Sequence, residues 1–251
     1  MKPNFLIIAT GLTVVIVIVS MFYLLNSEPI VDEYLGGKYD AKLIIEGTTT
    51  IGEYGKITYK KDGIEHVGYY NSFLKNALDW IKINTPENAV FLNSFAYGHT
   101  IVGYAERESV SKYPSEESQV ALTDAARQQV RFFDPHEKIV DVAKIFTTTN
   151  ESLANSIMNK YGAKYLFITS VDGSDGGYWN FFFVGLDSAQ YFSFYPSPDS
   201  SVSEKMLTFE DYDYTDLGKQ TMIYRLLSNS NLQVFNQVYS DENVKIFQIS
   251  T

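Results

Sequence analysis

Phe91 to Tyr104 reads FLNSFAYGHTIVGY. The apolar run AVFLN, Ala89 to Asn93, passes through a short turn of small and polar residues and gives way to GHTIVGYA from Gly98. A brief unbroken apolar run suits a strand buried on both faces, and the segment after the turn opens a helix. A strand, a tight turn and a helix are the repeating step of a layered α/β fold, so the neighbouring segments should alternate in the same way. Upstream, Leu74, Ala77, Leu78 and Ile81 fall on one helical face, with Asn71 or Ser72 as N-cap and Pro86 beyond the end. Downstream, ESVS near Val110 reads as a strand, Glu116 to Phe133 as a helix, and DPHEKIVDVAKIF as a further helix. Thr149 or Asn150 caps a helix through Tyr161 that Gly162 stops, and KYLFITS, Lys164 to Ser170, is a central strand. The predicted fold class is therefore α/β, a layered mixed sheet with helices.

The flanks differ in character. Ala41 to Tyr70 is rich in β-branched and aromatic residues and is broken by Gly47, Gly52, Gly55 and the Lys61-Asp62-Gly63 step, the pattern of a small antiparallel meander. Asp172 to Asp216, rich in glycine, aspartate and aromatic residues and holding Pro196 and Pro198, predicts long loops. A helix over Gln220 to Leu227 follows, and then LQVFNQVYS and VKIFQIS flank DENV as a terminal hairpin. There is no internal repeat.

Composition limits the function. The 251 residues are 45% apolar and 15% aromatic, enough for a substantial core. A net charge of −10 leaves no basic stripe for a polyanion, so nucleic acid is not an expected partner. The absence of cysteine removes disulfides, thiol nucleophiles and thiolate metal sites. Phe5 to Leu25 carries no charge and is about as long as a membrane-crossing helix needs to be. No small-x-small cleavage site precedes Asn26, which favours an anchor over a cleaved signal peptide. Lys2 on one side and Glu28, Asp32 and Glu33 on the other predict a cytoplasmic N-terminus and an exported remainder at the cell membrane. The expected organisation is an anchor over 1–25, a linker over 26–38 with Pro29 and Gly36-Gly37, and an exported domain over 39–251 whose first part, 39–70, is β-rich.

Motifs for chemistry are sparse. No nucleophile elbow, phosphate-binding glycine loop or i, i+4 histidine pair occurs, and His66, His99 and His136 are scattered. Asp211, Asp213 and Asp216 of DYDYTD could gather around a hard cation, as could DGSDGG, Asp172 to Gly177, but both lack the spacing of a calcium loop; solvated loops are the simpler reading. No metal or other cofactor is expected. YWNFFFVG, Tyr178 to Gly185, reads as core packing rather than a stacking platform. Asn150-Glu151-Ser152 is an N-x-[ST] glycosylation acceptor on the exported side, with helix capping as the alternative task for Asn150.

The order of segments then carries a resemblance. Leu78 to Glu117, LDWIKINTPENAVFLNSFAYGHTIVGYAERESVSKYPSEE, resembles the region of the W-W-D-Y-G motif in the exported C-terminal domain of archaeal oligosaccharyltransferase catalytic subunits, and related lipid-linked-sugar glycosyltransferases carry comparable domains. TTTNESLANSIMNKYGAKYLFITS, TMIYRLL and VFNQVYSDENVKIFQI resemble later segments of that domain, whereas Asp172 to Asp216 is unmatched. Ser94, Phe95, Ala96, Tyr97 and Gly98 stand where the family has Trp, Trp, Asp, Tyr and Gly. The resemblance implies a pocket for an acceptor hydroxyl, and Ser94 and Ala96 lack the indole donor and carboxylate acceptor that such a pocket uses. Phe95, Tyr97 and His99 are left as candidate binding residues, with no catalytic residue, and Gly98 is expected to permit a tight turn. The family's metal carboxylates belong to a many-helix membrane part, against one span here. The implied role is a non-catalytic accessory or assembly partner of a polytopic glycosyltransferase subunit or an envelope glycoprotein; one half of a split glycosyltransferase and a cell-envelope binding module are the alternatives.

Overall fold

The computed structural model describes residues 31–112, 137–173, 175–194 and 212–250. Its first sheet is a meander. β1 (Val31–Gly36), β2 (Ala41–Thr49), β3 (Gly52–Lys61) and β4 (Ile64–Asn71) pair antiparallel in chain order. Alternation gives the sheet one apolar face: Leu43, Ile45, Ile57, Tyr59 and Tyr70 are buried, while Lys56 and Tyr69 point to solvent. Between β3 and β4, Asp62 and Gly63 have φ of 53° and 77°, the two left-handed residues of a tight hairpin turn whose twist matches the strands.

The segment expected to tether the domain behaves otherwise. Val31–Gly36 is the edge strand of the meander, Tyr34 pairs with Lys42, and Leu35 packs on the core. Gly36 and Gly37, read as part of the linker over 26–38, turn the chain from β1 into β2 with φ of 62° and 74°.

After the meander come α1 (Lys75–Asn84), β5 (Val90–Asn93), α2 (Gly98–Gly103) and β6 (Glu108–Ser109). Next are α3 (Glu137–Thr147), α4 (Glu151–Lys160), β7 (Tyr165–Thr169), α5 (Asp175–Phe183), a ribbon of β8 (Phe192–Phe194) with β9 (Tyr212–Tyr214), α6 (Met222–Ser228), β10 (Phe235–Ser240) and β11 (Val244–Ile249). The second sheet has the order β10-β11-β7-β5-β6, with β5 parallel to both β6 and β7 and β11 antiparallel to β7. The mixed α/β class and the β-meander are as expected.

β7 lies at the centre and is buried at every position. Tyr165 and Phe167 join Phe91, Ile246 and the meander, with α1 and α2, in one core. Leu166 and Ile168 join Leu92, Phe247 and helices α3, α4 and α6 in the other. Two-sided burial explains why the strand reads as a continuous apolar run.

The expected helix Glu116 to Phe133 lies outside the described residues. The long loops expected over Asp172 to Asp216 are in part helix α5 and the β8–β9 ribbon. α5 is apolar on several sides: Phe181 packs in the second core and Phe183 in a separate cluster with Ile139 and Ala143. Such a helix shows no 3.6-residue stripe to read. Among the described residues no helix is long and apolar enough to cross a membrane, and Phe5 to Leu25 lies outside them.

Candidate functional site

β5 and β7 are parallel neighbours, with Asn93 opposite Phe167, so the chain leaves both strands at the same sheet edge. The carboxyl ends of parallel strands are where open α/β sheets present polar groups to ligands. Two short turns meet here, the 3-10 turn Phe95–Tyr97 after β5 and the 3-10 turn Ser170–Gly173 after β7.

A buried network joins them. The Tyr97 hydroxyl lies 3.0 Å from Thr169 Oγ1. Thr169 donates to Asp172 Oδ2 from its backbone N–H at 2.8 Å and from its hydroxyl at 3.0 Å, and the Ser94 hydroxyl bonds the same carboxyl. A hydroxyl has one proton, so Thr169 accepts from Tyr97 while it donates to Asp172. Asp172 is only 1% exposed. Burial pushes its pKa up to about 6 against the opposing pull of the hydrogen bonds from Ser94 and Thr169. Enclosure, with the Asp172 charge second, likewise raises the Tyr97 hydroxyl well above the usual phenol range. The Tyr97 ring packs against Phe167 at 5.8 Å.

His99, two residues on, turns to the other side. It is 4% exposed, and its Nδ1 is 2.8 Å from the buried Tyr59 hydroxyl of β3. His66 of β4 stacks on Tyr59 at 5.0 Å and lies 5.8 Å from His99. Burial, and then Lys112 and Lys61, lower the His66 pKa. α2 comes so close to β4 that a Cβ on Gly68 would sit 2.1 Å from His99 Cβ. Phe95 is in the 3-10 turn beside Tyr97.

Gly98 is needed for space and not for conformation. Its φ is −61°, ordinary helical backbone, which corrects the expected turn-forming role. An added Cβ would lie 1.8 Å from the Ser111 carbonyl oxygen and 2.6 Å from Ser109 Oγ. The segment from Ser109 to Ser111 is held by Asn93, whose Oδ1 accepts from Ser109 Oγ at 2.7 Å and whose Nδ2 donates to Ser111 O at 3.1 Å. Ser111 Oγ is buried without a hydrogen-bond partner among the described residues.

The other sequence-predicted positions stand apart. Asp213 and Asp216 are exposed, Asp211 lies outside the described residues, and among the described residues no three metal-ligating side chains come together. Asn150 caps α4, its Oδ1 accepting from Ser152 N at 3.0 Å and Leu153 N at 3.2 Å. Asp172, passed over with the rest of DGSDGG, is the residue that sequence reasoning missed. Its signal was a threonine three residues upstream at the end of an apolar strand, the local spacing at which these side chains bond neighbouring backbone.

Solved structures to which the chain is similar include oligosaccharyltransferases and their C-terminal domains. The C-terminal globular domain of oligosaccharyltransferase from Archaeoglobus fulgidus is 21% identical over 70% of this chain and 95% of that one, with a TM-score of 0.45. The oligosaccharyltransferase of Archaeoglobus fulgidus tethered with an acceptor peptide is 18% identical over 68% of this chain, with a TM-score of 0.49, and only 24% of its length is covered. The C-terminal domain of C. jejuni PglB is 9% identical over 70% of this chain and 99% of that one, with a TM-score of 0.41. No protein-family model matches the chain, and no curated protein does.

Chemically, Asp172, Thr169, Ser94 and Tyr97 satisfy one another inside the protein. The arrangement ties two strand ends together.

Proposed function

We propose that the chain is a non-catalytic accessory or assembly domain, displayed outside the cell on the Phe5 to Leu25 anchor beside a polytopic glycosyltransferase subunit. The bonding at the Ser94 to Gly98 edge carries this reading: among the described residues, Asp172 and Tyr97 at the carboxyl ends of β5 and β7 are engaged by Thr169 and Ser94. The uncharged run and the charge asymmetry around it support the anchor.

A mild-detergent pull-down from the native membrane tests it. A polytopic glycosyltransferase should co-purify, and the chain alone should transfer no glycan from a lipid-linked donor. External protease on intact cells should remove the domain and leave a small membrane stub. Turnover by the isolated chain, or release of an uncut domain with a new N-terminus near Asn26, would overturn the respective parts of the proposal.

A further inference from the structure

At the opposite end of the second sheet from Tyr97 lies a groove of about 600 Å³. β11 and β7 place Gln248 opposite Tyr165, and β10 places Asn236 opposite Gln248. Gln248 and Ser250 continue the side-chain parity of Val244 and Ile246, so they share the sheet face of Tyr165. Pro86 and Asn88, beyond the end of α1, also line it. Tyr165 lines it as well; its ring stacks on Phe91 at 5.0 Å, and the residue is 8% exposed.

The side chains around this groove are of one kind. Asn88, Asn236 and Gln248 bring three exposed amides and Ser250 a hydroxyl, with Asn236 Nδ2 donating to Ser250 Oγ at 2.7 Å. Among the described residues no carboxylate lines the groove and Lys164 is its one charged residue, in a chain of net charge −10. A metal ion or a polyphosphate has no partner set there. The nearby backbone is already used: Lys164 N donates to Val90 O, Ile249 N to Lys164 O, and Ser250 N to Val234 O. An extended peptide added to the sheet would need those groups free. Side-chain amides, each with donors and an acceptor, instead suit adjacent hydroxyls, and the volume falls in the range of small-ligand sites.

We infer that this groove binds a neutral saccharide of two or three units through Asn88, Asn236 and Gln248. This site stands apart from the accessory-domain reading and does not depend on the anchor or the partner.

The test is a titration of the full ¹⁵N-labelled chain with cellotriose, chitotriose and mannotriose, and with tetra-alanine as the peptide arm. At least one trisaccharide should shift the side-chain amide resonances saturably in the millimolar range. Gln248→Ala and Asn236→Ala, both at exposed positions, should keep the thermal midpoint and each weaken binding at least about tenfold, a loss of about 1.4 kcal/mol. Absence of saturable shifts with all three saccharides, saturation by tetra-alanine alone, or unchanged affinity in both variants would overturn the inference.

Discussion

Asp172→Asn separates two physical effects that oppose each other in the wild-type protein. Burial favours the neutral acid, whereas hydrogen bonds from Ser94 and Thr169 favour the carboxylate. With the pKa raised from 3.8 to about 6, burial prevails. The native state then holds a proton over a range where the unfolded chain has lost it, so this group's contribution to stability is greatest at low pH and declines as pH rises from about 4 through about 6. The size of that decline, taken from the same two values, is about 3 kcal/mol. Asparagine keeps an acceptor for Thr169 N and Oγ1 and can donate to the Ser94 oxygen, so it preserves the shape of the network without a charge.

The stability difference between variant and wild type should therefore depend on pH. Near pH 4 the two should be similar. By pH 7.5 the variant should have gained up to about 3 kcal/mol relative to wild type, less whatever the weaker neutral hydrogen bonds forgo. Urea denaturation followed by tryptophan fluorescence over this range measures it, and differencing cancels the carboxylates elsewhere, such as Asp141 and Glu151, whose pKa values are lowered. A difference that is flat with pH, or one that turns against the variant as pH rises, would refute the reasoning and show that hydrogen bonding outweighs burial at Asp172.

Gly98→Ala should lower stability by about 2 kcal/mol in a thermal melt, because the new methyl meets the Ser111 carbonyl oxygen at 1.8 Å. Arg107→Met should cost about 3 kcal/mol in urea: the buried guanidinium makes five hydrogen bonds, among them to Lys82 O and Thr85 O at the end of α1, and methionine leaves those carbonyls unmet. Asn150→Ala should cost about 1 kcal/mol and Asn150→Ser much less, since serine also caps; a drop in mass with Asn150→Ser would show that the asparagine carries a glycan as well.

Much of the fold was legible because local and tertiary demands agree. Leu74, Ala77, Leu78 and Ile81, spaced for one helical face, all pack in the first core. Asn150 and Gly162 bound α4 as capping chemistry predicts. Val31–Gly36 was missed because its strand character comes from pairing with β2, which composition around a proline and two glycines conceals. α5 was missed for the opposite reason, since burial on several sides erases its period. Arg107 could be seen only as a charge in a turn, and three of its five hydrogen bonds go to Lys82 O, Thr85 O and Thr85 Oγ1 at the end of α1, more than twenty residues upstream.

The candidate site shows why neighbouring polar residues are a poor guide to a pocket. Phe95, Tyr97 and His99 are candidate binding residues because they stand in the stretch that resembles a binding motif, and Tyr97 and His99 flank Gly98. Both, however, lie on right-handed helical backbone, where residues two apart are turned by roughly 200°. They must therefore face opposite ways, and they do: Tyr97 reaches Thr169 of the second sheet, and His99 reaches Tyr59 of the meander. The same geometry makes the turn a link between the two sheets, with the absent side chain of Gly98 letting it lie against Ser111. Polar residues that face a ligand converge, whereas these diverge into separate buried partners, so their loss should appear first in stability.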